Sequence, residues 1–131
     1  MNIYKYLLFA LILTIIDIIW LKVYMIGQYS SLFDKLKLDM NVNIINALLA
    51  YFLLIVAYPI LIEDNDKNKS LKKGTIFGAL AYGIYGFTLA AILPKYDTLF
   101  AIKETIWGAT LYFLSLTVLN ILILISLANV F

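Results

Sequence analysis

The 131-residue chain contains no cysteine, no histidine and no arginine. Without thiolate or imidazole it lacks the ligands of ordinary zinc, iron and copper sites, the common nucleophile–base pairs, and any means of forming a disulfide. No metal, redox centre or other cofactor is therefore expected. Charge is scarce as well: Asp, Glu and Lys make up 14% of the residues, against about 25% in a soluble globular domain. All ten basic residues are lysines, and they are scattered, so there is no nucleic-acid footprint. The net charge of +2 is ordinary for a protein facing anionic leaflets, and lysine without arginine beside abundant Ile and Asn reads as coding bias.

What is there is apolar: 64% of residues are hydrophobic and the mean hydropathy is +0.96. A span takes about 20 apolar residues, so four spans with their connections fill the length. The expected fold is an all-α integral membrane bundle of four transmembrane helices, at about 4–26, 41–62, 74–93 and 99–130, forming a single domain over 1–131. The first run, Tyr4 to Ile26, is too long for a signal peptide, contains Asp17 and lacks a small-residue cleavage site, so it reads as a retained helix. Gly27 to Met40 mixes Leu32, Phe33, Leu36 and Leu38 with Asp34, Lys35, Lys37 and Asp39, the pattern of a short amphipathic segment on the membrane surface. Glu63 to Lys73 is too charged for lipid and reads as a loop, and Pro94 to Lys103 reads as a turn.

An even number of spans puts both termini on one side. Lys5, Lys67, Lys69, Lys72 and Lys73 lie on that side and Lys22, Lys35, Lys37, Lys95 and Lys103 on the other. The amino terminus adds a positive charge to the first set, and Lys22 and Lys103 lie at helix ends. The positive-inside rule then favours cytoplasmic termini.

Polar residues within the spans mark the candidate site. At 100° per residue Thr14, Asp17, Leu21, Tyr24 and Gln28 form one stripe of the first helix, while Lys22 points away toward headgroups. A carboxyl group within a span must face protein, water or a partner, so Asp17 points into the bundle. The fourth helix repeats the arrangement with Glu104, Gly108, Tyr112, Ser115, Leu122, Ser126 and Asn129, and Asp17-x-x-Trp20 parallels Glu104-x-x-Trp107. Either Trp could equally be an interfacial anchor. Third-helix Gly74, Gly78, Tyr82, Tyr85 and Thr88 share one side and Ala79, Gly83, Gly86 and Ala90 another, which implies close neighbours on both sides. Asn43, Asn46, Ala47 and Ala50 form a polar and small seam on the second helix.

These residues resemble the bacterial four-helix membrane family catalogued as domain of unknown function 2177. The resemblance rests on Asp17-Ile-Ile-Trp20-Leu21 followed by Gly27 and Tyr29, on Val42-Asn43, on Tyr82 and Tyr85-x-x-Thr88, and on Trp107-Gly108. It departs from the family at Gly86 and Leu89, where an acid and an Asn are usual, and at Glu104, where Asp is usual. The resemblance implies the fold and the membrane, and no reaction.

The residues leave three functional readings open. The leading one is a non-enzymatic protein whose intramembrane pocket, built by Asp17, Trp20, Asn43, Tyr85, Thr88, Glu104 and Trp107, binds a small solute, ion or lipid headgroup. The second is a structural or assembly factor in which the same residues hold helices together or dock a partner. The third, least favoured, is an intramembrane enzyme using the two carboxyl groups as acid and base. The partners expected are the lipid bilayer and either a further copy of the chain or another membrane protein, and not nucleic acid.

Overall fold

The computed structural model describes residues 3–37 and 43–130, and side chains through Leu127. Four helices are long and apolar enough to cross a membrane: the first spans Ile3–Leu36, the second Ile44–Ile62, the third Lys67–Ile92, and the fourth Thr98–Val130. No strand occurs among the described residues.

The helices outrun the expected spans because lipid excludes charge and a helix does not. The first helix does not stop at Ile26. It passes through a π-turn, Leu21–Met25, and continues as α-helix to Leu36, so the surface segment expected over Gly27 to Met40 is, as far as Leu36, an extension of the first helix. It ends at Lys37, whose backbone is left-handed at φ 58°. Leu38, Asp39, Met40, Asn41 and Val42 lie outside the described residues, as does the Asn129 side chain. The charged stretch Glu63 to Lys73 is likewise mostly helix. Only 63–66 is loop, because Asp66 caps the third helix by accepting from the Asn68 amide at 2.9 Å.

Two clusters close the ends of the bundle. Toward the termini Phe9, Leu13, Tyr58, Ile62, Leu111, Tyr112, Leu116 and Leu119 form the main core, with Phe9 stacked on Tyr58 at 4.6 Å. At the opposite end Leu32, Tyr96 and Ala101 form a smaller one. The third and fourth helices are the most intimate pair. A Cβ added at Gly78 would lie 2.0 Å from the Gly108 carbonyl oxygen, so the two backbones touch. Gly83 abuts Thr105, and Gly86 abuts Ala101 and Glu104. The glycines of both small faces therefore meet the fourth helix, and Gly74 also meets Ile62 of the second. The fourth helix's expected inward face holds from Glu104 to Ser115, whereas Leu122 and Ser126 are exposed.

Pro59 accounts for the second π-turn, Tyr58–Ile62. It has no N–H for the Ile55 carbonyl, which takes the Tyr58 N–H instead. The Leu54 carbonyl then receives the Tyr112 hydroxyl of the fourth helix at 2.5 Å. Thr75, Thr105, Thr110 and Thr117 bond carbonyls four residues back, which satisfies their hydroxyls without any ligand.

The terminal face is fastened by the loop. Glu63 accepts from Lys5 Nζ at 3.1 Å and from the Tyr6 hydroxyl at 2.5 Å, and Asp64 accepts from Lys73 Nζ at 2.9 Å. Partial burial disfavours the Glu63 carboxylate, but Tyr6 and Lys5 outweigh it and hold the carboxyl below its ordinary range.

Gly78→Ala is expected to cost about 1–3 kcal/mol of stability through overpacking. Gly83→Ala, which meets only a side chain, should cost less. Gly27→Ala, with nothing near its added Cβ, should be neutral or stabilising by up to about 1 kcal/mol. Thermal melts of the detergent-solubilised variants check this order, and a Gly78→Ala as stable as wild type would refute the backbone contact. The Glu63 contribution is present above its unfolded pKa of about 4.3 and is lost as pH falls through the lower folded value. The stability gap between wild type and Glu63→Gln should accordingly narrow on acidification; a constant gap would mean that Glu63 acts by packing alone.

Candidate functional site

Between the two apolar clusters the four helices leave a cavity of about 260 Å³. Asp17 and Glu104, 6% and 5% exposed, both line it. Asp17 accepts a hydrogen bond from the Tyr51 hydroxyl on one carboxyl oxygen and from Trp107 Nε1, at 3.0 Å, on the other. One acid thus fastens the first helix to the second and the fourth. Glu104 accepts from the Tyr29 hydroxyl at 2.8 Å. Neither acid has an ion-pair partner among the described residues. Lys103, the residue beside Glu104, turns away and donates to the Tyr24 hydroxyl at 3.1 Å, on the far side of the fourth helix's indole.

The π-turn in the first helix makes the Tyr29 contact. On an unbroken α-helix Tyr29 would stand about 120° round from Asp17. A π-turn takes up one extra residue, so the helix beyond it is turned back by about 100° and Tyr29 comes to within about 20° of Asp17. The same displacement brings Met25 into the cavity wall and carries Tyr24 outward. The stripe expected from the sequence therefore ends at Leu21. Gln28 lies instead in a surface hollow with Lys35, Lys95 and Asp97.

Trp20 and Trp107 stack with ring centroids 4.4 Å apart and planes 10° from parallel. Trp107 is held by Asp17, whereas the buried Trp20 Nε1 has no hydrogen-bond partner. Tyr82 and Tyr85 from the third helix and Ala47, Ala50 and Leu54 from the second complete the lining.

Of the residues expected in a pocket, Asp17, Trp20, Tyr85, Glu104 and Trp107 come together. Asn43 and Thr88 do not. Asn43 is exposed and caps the second helix, its side chain accepting from the Asn46 amide at 3.1 Å, and Thr88 is exposed on the third helix. Tyr51 is not among the expected residues. Its signal is its isolation, since it is the only side chain able to hydrogen-bond between Asn46 and Tyr58.

A family model described as predicted membrane protein (DUF2177) matches residues 2–122. No curated protein and no solved structure matches the chain.

Because the chain has no native cysteine, the register beyond the π-turn can be read by cross-linking. Tyr29→Cys paired with Glu104→Cys should be joined by a short bismaleimide within one chain, and Gln28→Cys paired with Glu104→Cys much less. Equal yields, or the reverse order, would place the turn elsewhere.

Proposed function

The chain belongs to this family of predicted membrane proteins, and we propose that it holds a small ligand in a polar pocket inside the bilayer and performs no reaction of its own. One observation carries this reading: two buried carboxyl groups line a cavity and, among the described residues, neither has a cation beside it. Polar groups at membrane depth are costly unless they are satisfied, which favours an occupant for the space they enclose.

Asp17 also supports the assembly reading, because Tyr51 and Trp107 both donate to it and so tie three helices together. The two roles are separable. Ala50→Phe fills the cavity and leaves every hydrogen bond to Asp17 in place. Native mass spectrometry of the protein extracted from its own membranes is expected to show a retained small-molecule mass in wild type and none in Ala50→Phe, at similar thermal stability. Wild type that retains no more mass than Ala50→Phe would leave the assembly role standing instead.

The orientation we propose has both termini and the Glu63–Asp66 loop in the cytoplasm, supported by the amino terminus and the lysines around that loop. The cavity then belongs to the outer half of the membrane, since Glu104 is early in the fourth helix and Tyr29, which bonds it, is late in the antiparallel first. Asn65, exposed in the loop, is the position to label. Asn65→Cys should resist an impermeant thiol reagent in intact cells and react after permeabilisation, and labelling of intact cells would invert the topology.

A further inference from the structure

We infer that the ligand of this pocket is an organic cation, an alkylated ammonium group borne on a hydrophobic body, with its charge against Asp17 and Glu104 and its alkyl groups against the aromatic wall. The inference rests on the pocket reading above and adds the chemical class.

The sign of charge comes first. Two acids line the cavity and no lysine does. The nearest base by sequence, Lys103, is committed to Tyr24, with its ammonium 5.8 Å from that ring's centroid and 3.1 Å from its hydroxyl. An anion would meet the carboxyl groups with nothing to compensate it. A hard metal ion is also poorly served, because it requires about six oxygen ligands, and the only carboxyl groups here are two that already accept from Tyr51, Trp107 and Tyr29.

The walls favour a soft cation. Indole and phenol rings carry negative π-faces, and aromatic enclosures are how proteins hold quaternary ammonium groups, at a gain that grows when water is excluded. Trp107 and the phenols of Tyr29, Tyr51, Tyr82 and Tyr85 line this cavity, as does Trp20, whose rings are packed against Trp107 and Tyr24. Such a cation offers no hydrogen bond, which suits a site whose acids are already hydrogen-bonded.

Size and access agree. About 260 Å³ is below the roughly 300–1,000 Å³ of pockets that engulf a drug-sized molecule. It admits an ammonium group and leaves the rest of the molecule outside. The way out lies between the second helix and the third. These two pack together chiefly through the π-turn Tyr58–Ile62, so that Ala47 and Ala50 are separated from Tyr82 and Tyr85 by the cavity. Tyr85 is 53% exposed at its edge. A hydrophobic tail leaving there enters lipid.

Trp20 and Trp107 are the only tryptophans, so tryptophan emission, excited at the red edge where tyrosine does not absorb, reads this site alone. Purified protein in nanodiscs is titrated with benzyltrimethylammonium and with neopentylbenzene, its uncharged isostere. The cation should give a saturable change that the isostere does not. Glu104→Gln, which keeps an acceptor for Tyr29 and hence the fold, should weaken the cation by about tenfold or more, as should Asp17→Asn. An isostere that binds as tightly as the cation, or a Glu104→Gln with unchanged affinity, would overturn the cation assignment while the pocket stands. If neither compound saturates, and wild type cannot be told from Ala50→Phe, pocket and cation fall together. Nanodiscs of phosphatidylcholine compared with uncharged glycosyldiacylglycerol identify the source. Weaker binding in the former means that a lipid ammonium already occupies the site, and equal binding means a free cation; either result upholds the class.

Discussion

Everything at the centre of this molecule is arranged around one buried carboxyl group. In a bilayer, apolar side chains gain little by leaving lipid for one another, so helix association depends on close packing and on hydrogen bonds between helices. Asp17 receives such bonds from the second helix through Tyr51 and from the fourth through Trp107. Each is worth only about 0.6–2 kcal/mol against a membrane-embedded reference, but loss of the pair would leave a bare carboxyl at membrane depth, a larger penalty. The contact of Gly78 with Gly108 performs the other half of the task. It brings the third helix backbone to backbone with the fourth, and thereby sets Tyr82 and Tyr85 opposite the first helix and Asp17.

Departures from regular α-helix place what regular helices would not. The π-turn at Leu21–Met25 comes directly after the Asp17–Trp20 pair and rotates the rest of the first helix so that Tyr29 reaches Glu104. The π-turn at Tyr58–Ile62 arises from Pro59, and the carbonyl it frees is taken by Tyr112. One defect serves the site and the other joins the second helix to the fourth within the apolar core. At the second, the carbonyl freed by Pro59 finds a partner within the protein, as lipid requires.

The number of spans, the burial of Asp17 and the shared site with Glu104 and Trp107 were legible in the sequence, since hydropathy and a 100° period suffice for straight helices. Tyr29 was not legible as a site residue by position, because nothing in Leu21–Lys22–Val23–Tyr24–Met25 announces a π-turn. Asn43 was legible for the wrong reason. An Asn just ahead of Ile44–Ile45 is a good helix cap, and it acts as one rather than reaching the cavity. Glu63 to Lys73 misled because charge forbids lipid but not helix. Lys67 to Lys73 extends the third helix into water behind the Asp66 cap.

The cavity results from how unequally the second helix is held. At its carboxyl end Tyr58 and Ile62 are buried in the main core, and the adjoining Glu63 is tied to Lys5 and Tyr6. At its amino end Ile44, Ile45, Leu48 and Leu49 are all more than half exposed, and Tyr51 to Asp17 is the bond that draws this half inward. A helix pinned at one end and tethered once near its middle cannot close upon the third, whose small residues are already taken up by the fourth. Side chains long enough to fill the gap would have sealed it, but the second helix presents Ala47 and Ala50 there. The space between Asp17 and Glu104 is thus a consequence of where the glycines, the proline and the two alanines fall, and it is bounded by the same carboxyl group that holds the bundle together.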